Sequence, residues 1–212
     1  MSTFLHIPKT AGSAIGTAIQ GANSIEGTSP ISIFGHEYNL RDLEGHGVTF
    51  CIRDPVDRVV SGFYSRLRMG RPRNNVPHTR DEAKTFRRWP TFVDLATEVT
   101  MGKHRAERGW HSIGHLRPLS TWLVDTETLN SSKISYIAEI TTLDLEWPTM
   151  CKALGLPMKT ELPKSPIDAH RAPTPPPVIS AELRAALQEF LADDYVLHRE
   201  CQAIRRCRGW AG

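Results

Sequence analysis

Apolar residues run together at positions 3–7, 31–34 and 48–52, and the runs stop at Pro8, Gly35 and Arg53. Short unbroken runs with such ends predict strands buried on both faces. Behind the loop 8–13, Ile15 and Ile19 recur at helical spacing, while Val56, Val59, Val60, Phe63 and Leu67 form a stripe at intervals of three and four. Both patterns predict a helix following a strand. Asp54 and Pro55 suit the start of the second helix, because a carboxylate caps free amides and proline is tolerated at the first helical position. The stripe carries that helix to about Arg68.

Residues 66–108 change character: they hold Arg71, Arg73, Arg80, Arg87 and Arg88 and are broken by Pro72, Pro77 and Pro90. That predicts loops with one helix near 91–100. Residues 133–138 predict another strand, and residues 148–154 a helix that Gly155 ends. The proline-rich stretch 157–177 predicts an irregular crossing, after which Ser180 caps a helix with Leu183, Leu187, Phe190 and Leu191 on one face. Strands alternating with helices predict an α/β fold, a three-layer sandwich with a central parallel sheet, as a single domain over 1–212. The loops at Pro8, Gly35 and Arg53 all follow strands, so they converge at the crevice outside the carboxyl ends of the sheet.

Composition narrows the function classes without choosing one. The chain has 212 residues, 40% hydrophobic and 23% charged, enough for one compact domain with a core. Its net charge of +3 suits anionic ligands but falls short of a dedicated nucleic-acid binder, so no nucleic-acid partner is expected. Cys51, Cys151, Cys201 and Cys207 form no CxxC pair, which argues against a zinc site or a secreted disulfide framework, though a Cys201–Cys207 bridge stays open. The first apolar run stops at Pro8, far short of the roughly 20 residues that span a bilayer, and no later run is long enough. A soluble, cytoplasmic protein with no transmembrane segment is the expectation.

Candidate chemistry sits in two segments. In Pro8-Lys9-Thr10-Ala11-Gly12-Ser13, backbone amides and the following helix N-terminus form a pocket for a phosphate-like anion. Lys9 adds charge, Thr10 and Ser13 add hydroxyl donors, and Ala11 and Gly12 let the anion approach closely. A nucleoside triphosphate loop has its lysine after the second glycine; here the lysine comes first. Alone, the loop also reads as a plain turn with a solvated lysine. The second segment places Arg53 at a strand end and Ser61 two turns into the next helix, where a guanidinium fork and a hydroxyl can grip another phosphate. An Arg53–Asp57 ion pair with Ser61 on the surface is the alternative.

Together, Phe4-Leu-His-Ile-Pro-Lys-Thr-Ala-Gly-Ser13 and Arg53-Asp-Pro-Val-Asp-Arg-Val-Val-Ser61 resemble the 5′-phosphosulfate loop and the 3′-phosphate motif of the sulfotransferases that use 3′-phosphoadenosine 5′-phosphosulfate (PAPS). The resemblance is to the branch typified by heparan sulfate 2-O-sulfotransferase and its bacterial relatives. It covers residues 3–67, and more distantly 117–123 and the helix with Asp194 and Tyr195. It implies a P-loop-like sulfotransferase fold, PAPS as donor and 3′-phosphoadenosine 5′-phosphate (PAP) as product. By that resemblance Lys9, Thr10, Gly12, Ser13 and the amide of Ala14 surround the phosphosulfate, and Arg53 and Ser61 hold the 3′-phosphate. Arg171 reaches the 3′-phosphate from a late loop or is a solvated arginine. Leu119 stands where relatives carry glutamine.

His36, in Phe34-Gly-His-Glu-Tyr38, is similar to the family's Gly-His element and so is the expected general base. An imidazole of ordinary pKa near 6.5 is mostly neutral at pH 7 and able to accept a proton. Glu37 is the competitor, and side-chain alternation lets only one of the two face the crevice. The implied chemistry is an in-line displacement in which Lys9 and the loop amides neutralise charge on the leaving oxygen. A sulfuryl group carries less charge than a phosphoryl group, so no metal is expected. The acceptor, a hydroxyl or amine of a carbohydrate, lipid-linked precursor, peptide or small molecule, stays open, as does the oligomeric state. The arginine-rich stretch either binds an anionic glycan or is solvated surface. Trp89, Trp110 and Trp122 either stack on an acceptor or pack in the core. A magnesium-dependent P-loop kinase or nucleotide hydrolase, and a nucleotide-binding module without catalysis, are the rival readings.

Overall fold

The computed structural model describes residues 2–25, 29–169 and 176–210. Strands β1 (Ser2–Leu5), β2 (Ser32–Phe34), β3 (Gly47–Ile52) and β4 (Ile134–Glu139) form a parallel sheet in the order β2-β1-β3-β4. The register pairs Phe4 with Ile33 on one side and with Thr49 on the other. From β1 the chain crosses to β2, then passes back over β1 to reach β3. The direction of winding therefore reverses between β1 and β3, which is where open α/β sheets hold their ligands.

The described residues include the helices α1 (Gly12–Asn23), α2 (Pro55–Leu67), α3 (Arg80–Arg88), α4 (Phe92–Thr100), α5 (His104–Ser112), α6 (Ser120–Leu123), α7 (Thr126–Ser131), α8 (Leu143–Leu154), α9 (Ala181–Phe190) and α10 (Ala192–Cys207). Strand alternation divides the core between two faces. Phe4, Cys51, Tyr136 and Ala138 pack with Ile15, Ile19, Trp147 and Met150 from α1 and α8. Leu5, Val48, Phe50 and Ile52 pack with Trp122, Leu129, Leu197 and Cys201 from α6, α7 and α10. Full burial of a side chain such as Ile15 or Ile19 contributes roughly 1.5–3 kcal/mol, which makes α1 a fixed wall for the loop before it. The β3–β4 ladder skips Ser135, pairing Val48 with Ile134 and Thr49 with Tyr136. This irregularity puts Ile134 and Ile137 on the same face despite their odd spacing.

Two expectations need correction. Residues 66–108 hold more helix than their prolines and arginines suggest. Thr79 and Glu82 close a capping box at the start of α3, and Phe86, Trp89, Phe92, Leu95, Val99 and Trp110 are buried against α2 in a third apolar cluster. The helix expected at 148–154 begins at Leu143 and contains Pro148, because Leu143, Trp147, Met150 and Leu154 pack against the sheet and that packing overrides local propensity. Gly155 ends it at φ 78° as expected. Trp89, Trp110 and Trp122 are 4%, 2% and 1% exposed, so all three belong to the core. The four cysteines are free thiols, which rules out the Cys201–Cys207 bridge. Among the described residues no helix is long and apolar enough to cross a membrane.

Candidate active site

The loop after β1 is built on strained backbone. Lys9 and Ala11 take φ of 69° and 64°, left-handed values that cost an L-residue about 1–2 kcal/mol each. Left- and right-handed residues in alternation bend successive amides toward one concavity, a device for holding anions. Thr10 stabilises this turn from within: it is 1% exposed and its hydroxyl donates to the Ile7 carbonyl at 2.9 Å. The expected hydroxyl donor at Thr10 is thus corrected, since its proton is used inside the protein. Pro8 is buried beneath the turn, while Lys9, Ala11, Gly12, Ser13 and Ala14 border a cleft of about 610 Å³. That volume is in the range of small-molecule sites. A Cβ at Gly12 would lie 1.8 Å from Cδ2 of His6, so any larger residue there would displace that ring.

The loop after β3 supplies the opposite wall. Asp54 caps α2 by accepting from the Asp57 amide at 3.0 Å and takes the Tyr195 hydroxyl at 2.8 Å. Arg184 from α9 donates to Asp54 at 3.4 Å and to Asp57 at 2.6 Å. The alternative of an Arg53–Asp57 pair is therefore not what forms. Arg53 turns into the cleft and donates to the Lys9 carbonyl at 3.4 Å, tying the two loops together, and Ser61 borders the cleft from α2.

His36 follows β2 in a turn, not on a strand, so alternation does not decide between it and Glu37. Their positions differ: His36 lines the cleft, whereas the Glu37 carboxylate folds back beside Gly35. The His36 carbonyl accepts from Trp122 Nε1 at 3.0 Å. Its ring lies 4.5 Å from that of His6 and 5.8 Å from that of His115. His115 is held by the close approach of Gly62, where a Cβ would stand 2.9 Å from the His115 carbonyl oxygen, and by Arg58, which donates to that oxygen at 3.4 Å.

Cations crowd around Lys9 in the cleft. Burial, then Arg68, then Arg53 bring the Lys9 ammonium down to about 8. The His36 ring stays accessible through the cleft, yet the enclosing protein lowers its pKa from 6.5; Glu37 opposes that shift and Lys9 adds to it. A neutral imidazole is the form that accepts a proton. Among the described residues no carboxylate lies within ion-pair distance of Lys9, Arg53 or Arg68, since Asp54 and Asp57 are taken by Arg184.

The structure thus gathers Lys9, Ala11, Gly12, Ser13, Ala14, His36, Arg53 and Ser61 around one cleft. Leu119 is 2% exposed, its amide donates to the buried Asp194 at 2.7 Å and its carbonyl accepts from Trp122 and Leu123, and it does not border the cleft. Arg171 lies outside the described residues. Five polar or charged lining residues escaped the sequence reading, His6, Arg68, Asn74, His115 and Asp144, as did the apolar Ile140, Leu143, Leu162, Pro163 and Ala169. Arg68 had a signal, because it falls seven residues after Ser61 and hence on the same face of the α2 register. His115 had none.

The family model described as the Sulfotransferase family matches residues 32–199. No curated protein and no solved structure matches the chain. The family match spans well over half of the sequence, from β2 through Arg53 and Ser61 into α10, and on that extent the chain belongs to the sulfotransferase family.

Proposed function

We propose that the protein transfers a sulfuryl group from PAPS to a hydroxyl or amine of an acceptor, with His36 as general base. One observation carries this reading: an anion-holding loop, a second arginine–hydroxyl grip and a neutral histidine meet in a single cleft whose cations Lys9, Arg53 and Arg68 have no carboxylate within ion-pair distance among the described residues. Lys9, the amides of the 8–14 loop and the α1 N-terminus suit a phosphosulfate. Arg53 and Ser61 suit the 3′-phosphate. PAPS supplies an activated sulfuryl group on a good leaving phosphate. His36 takes the acceptor's proton as the new bond to sulfur forms, and Lys9 neutralises charge on the phosphate oxygen as the old bond breaks. A reducing cytoplasm is the setting that suits four free thiols.

The test is a thermal-shift titration with PAP, ADP and ATP, each with and without magnesium. A ligand that binds only the folded state at 100 times its Kd adds about 2.7 kcal/mol. Stabilisation by PAP without magnesium, little response to ADP, and loss of the PAP shift in Arg53→Ala are expected. Stabilisation by ATP only with magnesium would move the protein to the kinase reading.

A further inference from the structure

Arg68 caps the C-terminal end of α2, where the negative end of the helix dipole favours a cation. It and Ser61 both border the cleft, and their spacing of seven puts them on one helix face two turns apart. The chain then reverses through Met69 and Gly70 at φ 57° and 80°, and the Gly70 amide bonds back to the Ser65 carbonyl at 2.8 Å. Within this reversal Arg68 Nε donates to the Arg71 carbonyl at 2.5 Å. One edge of the guanidinium is thereby anchored to its own loop. Its terminal nitrogens have no protein acceptor among the described residues.

Electrostatics shows what this side chain lacks. Arg68 contributes more than Arg53 to lowering the Lys9 pKa. Asp57 and Asp54 partly offset the burial of Arg53, whereas Arg68 is lowered by burial and has no carboxylate within ion-pair distance among the described residues. Such an arrangement is unfavourable alone and is relieved by a ligand with more than one anionic group. Lys9 and the α1 N-terminus serve one end of that ligand. The α2 face serves the other, and a phosphate dianion faced by Arg53 alone is left half neutralised.

We propose that Arg68 is a second arginine of the 3′-phosphate grip, completing it with Arg53 and Ser61. This rests on the PAPS reading above and adds a residue that determines which nucleotides bind. The guanidinium suits the task because its donors form a fork that matches phosphate oxygens, whereas lysine offers only a point charge.

Calorimetric titration of PAP and of AMP, the same nucleotide without its 3′-phosphate, tests this on the wild type, Arg68→Gln and Arg68→Lys. Arg68→Gln is expected to weaken PAP by on the order of tenfold or more, with AMP affinity held within about twofold. Arg68→Lys should recover part of the lost PAP affinity, and it keeps the test available if the glutamine variant is poorly folded. Equal weakening of PAP and AMP, or no change in either, overturns the assignment while leaving the PAPS reading in place. A wild type with no preference for PAP over AMP overturns the PAPS reading, and this assignment with it.

Discussion

Arginines in the body of the protein and cations in its cleft are treated in opposite ways. Arg58, wholly buried, donates to Asp194 at 3.0 Å and to the Arg117 carbonyl at 2.7 Å. Arg205 makes two bonds to Glu146, at 2.9 and 2.8 Å, and another to the Ile137 carbonyl at 2.6 Å. Arg66 bonds both oxygens of Glu82. Lys9, Arg53 and Arg68 make no ion pair among the described residues: Arg53 and Arg68 donate to backbone carbonyls, and Asp57 and Asp54 act on Arg53 only from beyond ion-pair distance. A buried cation with a carboxylate is part of the framework; one without is positioned for an anion that arrives later.

The largest test of that contrast is Asp194→Ala. It leaves Arg58 buried without its counter-charge and strips the Leu119 amide of its acceptor, so urea unfolding should show a loss of about 3–5 kcal/mol. A loss under about 1 kcal/mol would mean the pair is no framework.

The next effect is on pH. Lys9 sits at about 8 in the folded protein against an ordinary 10.5. Between those values the unfolded chain binds more protons than the folded one, so ligand-free stability gains from Lys9 as pH rises through this window. PAP affinity should move the other way, falling by up to about tenfold per pH unit above about 8, because the bound anion requires the ammonium form. Lys9→Met should flatten the Lys9 part of both trends; a PAP titration unchanged from pH 7 to 9 would remove Lys9 from the site.

The smallest effect belongs to Arg41, paired with Asp125 at 2.9 Å where both side chains are largely in water, 65% and 47% exposed. Arg41→Ala should leave the unfolding midpoint unchanged, which would show that pairing stabilises through its surroundings and not by its mere presence.

What the chain reveals in advance follows the range of the interactions involved. The strand–loop–helix units around Lys9 and Arg53 are legible because capping, apolar spacing and loop chemistry act within a few residues. The capping box at Thr79 and Glu82 was equally local and outweighs the prolines around it. His115 is different: it reaches the cleft because Gly62 leaves room and Arg58 holds its carbonyl, contacts across more than fifty positions that spacing does not encode. Arg184 likewise settles the choice for Arg53 by occupying Asp57 from a helix far along the chain. Asp54 showed its local role as a cap, but not the hydroxyl it would take from Tyr195.

The strand order has a consequence for how such a site can vary. His36 follows β2, Lys9 follows β1 and Arg53 follows β3, and these are three adjacent strands. Their roots are spaced by the hydrogen-bond ladder, about 4.8 Å per step. The ladder acts as a ruler, setting the His36 turn, the Lys9 loop and the Arg53 loop side by side at intervals that loop lengths do not alter. Insertions elsewhere around the cleft can reshape its outer walls while the spacing of these three loop roots stays fixed.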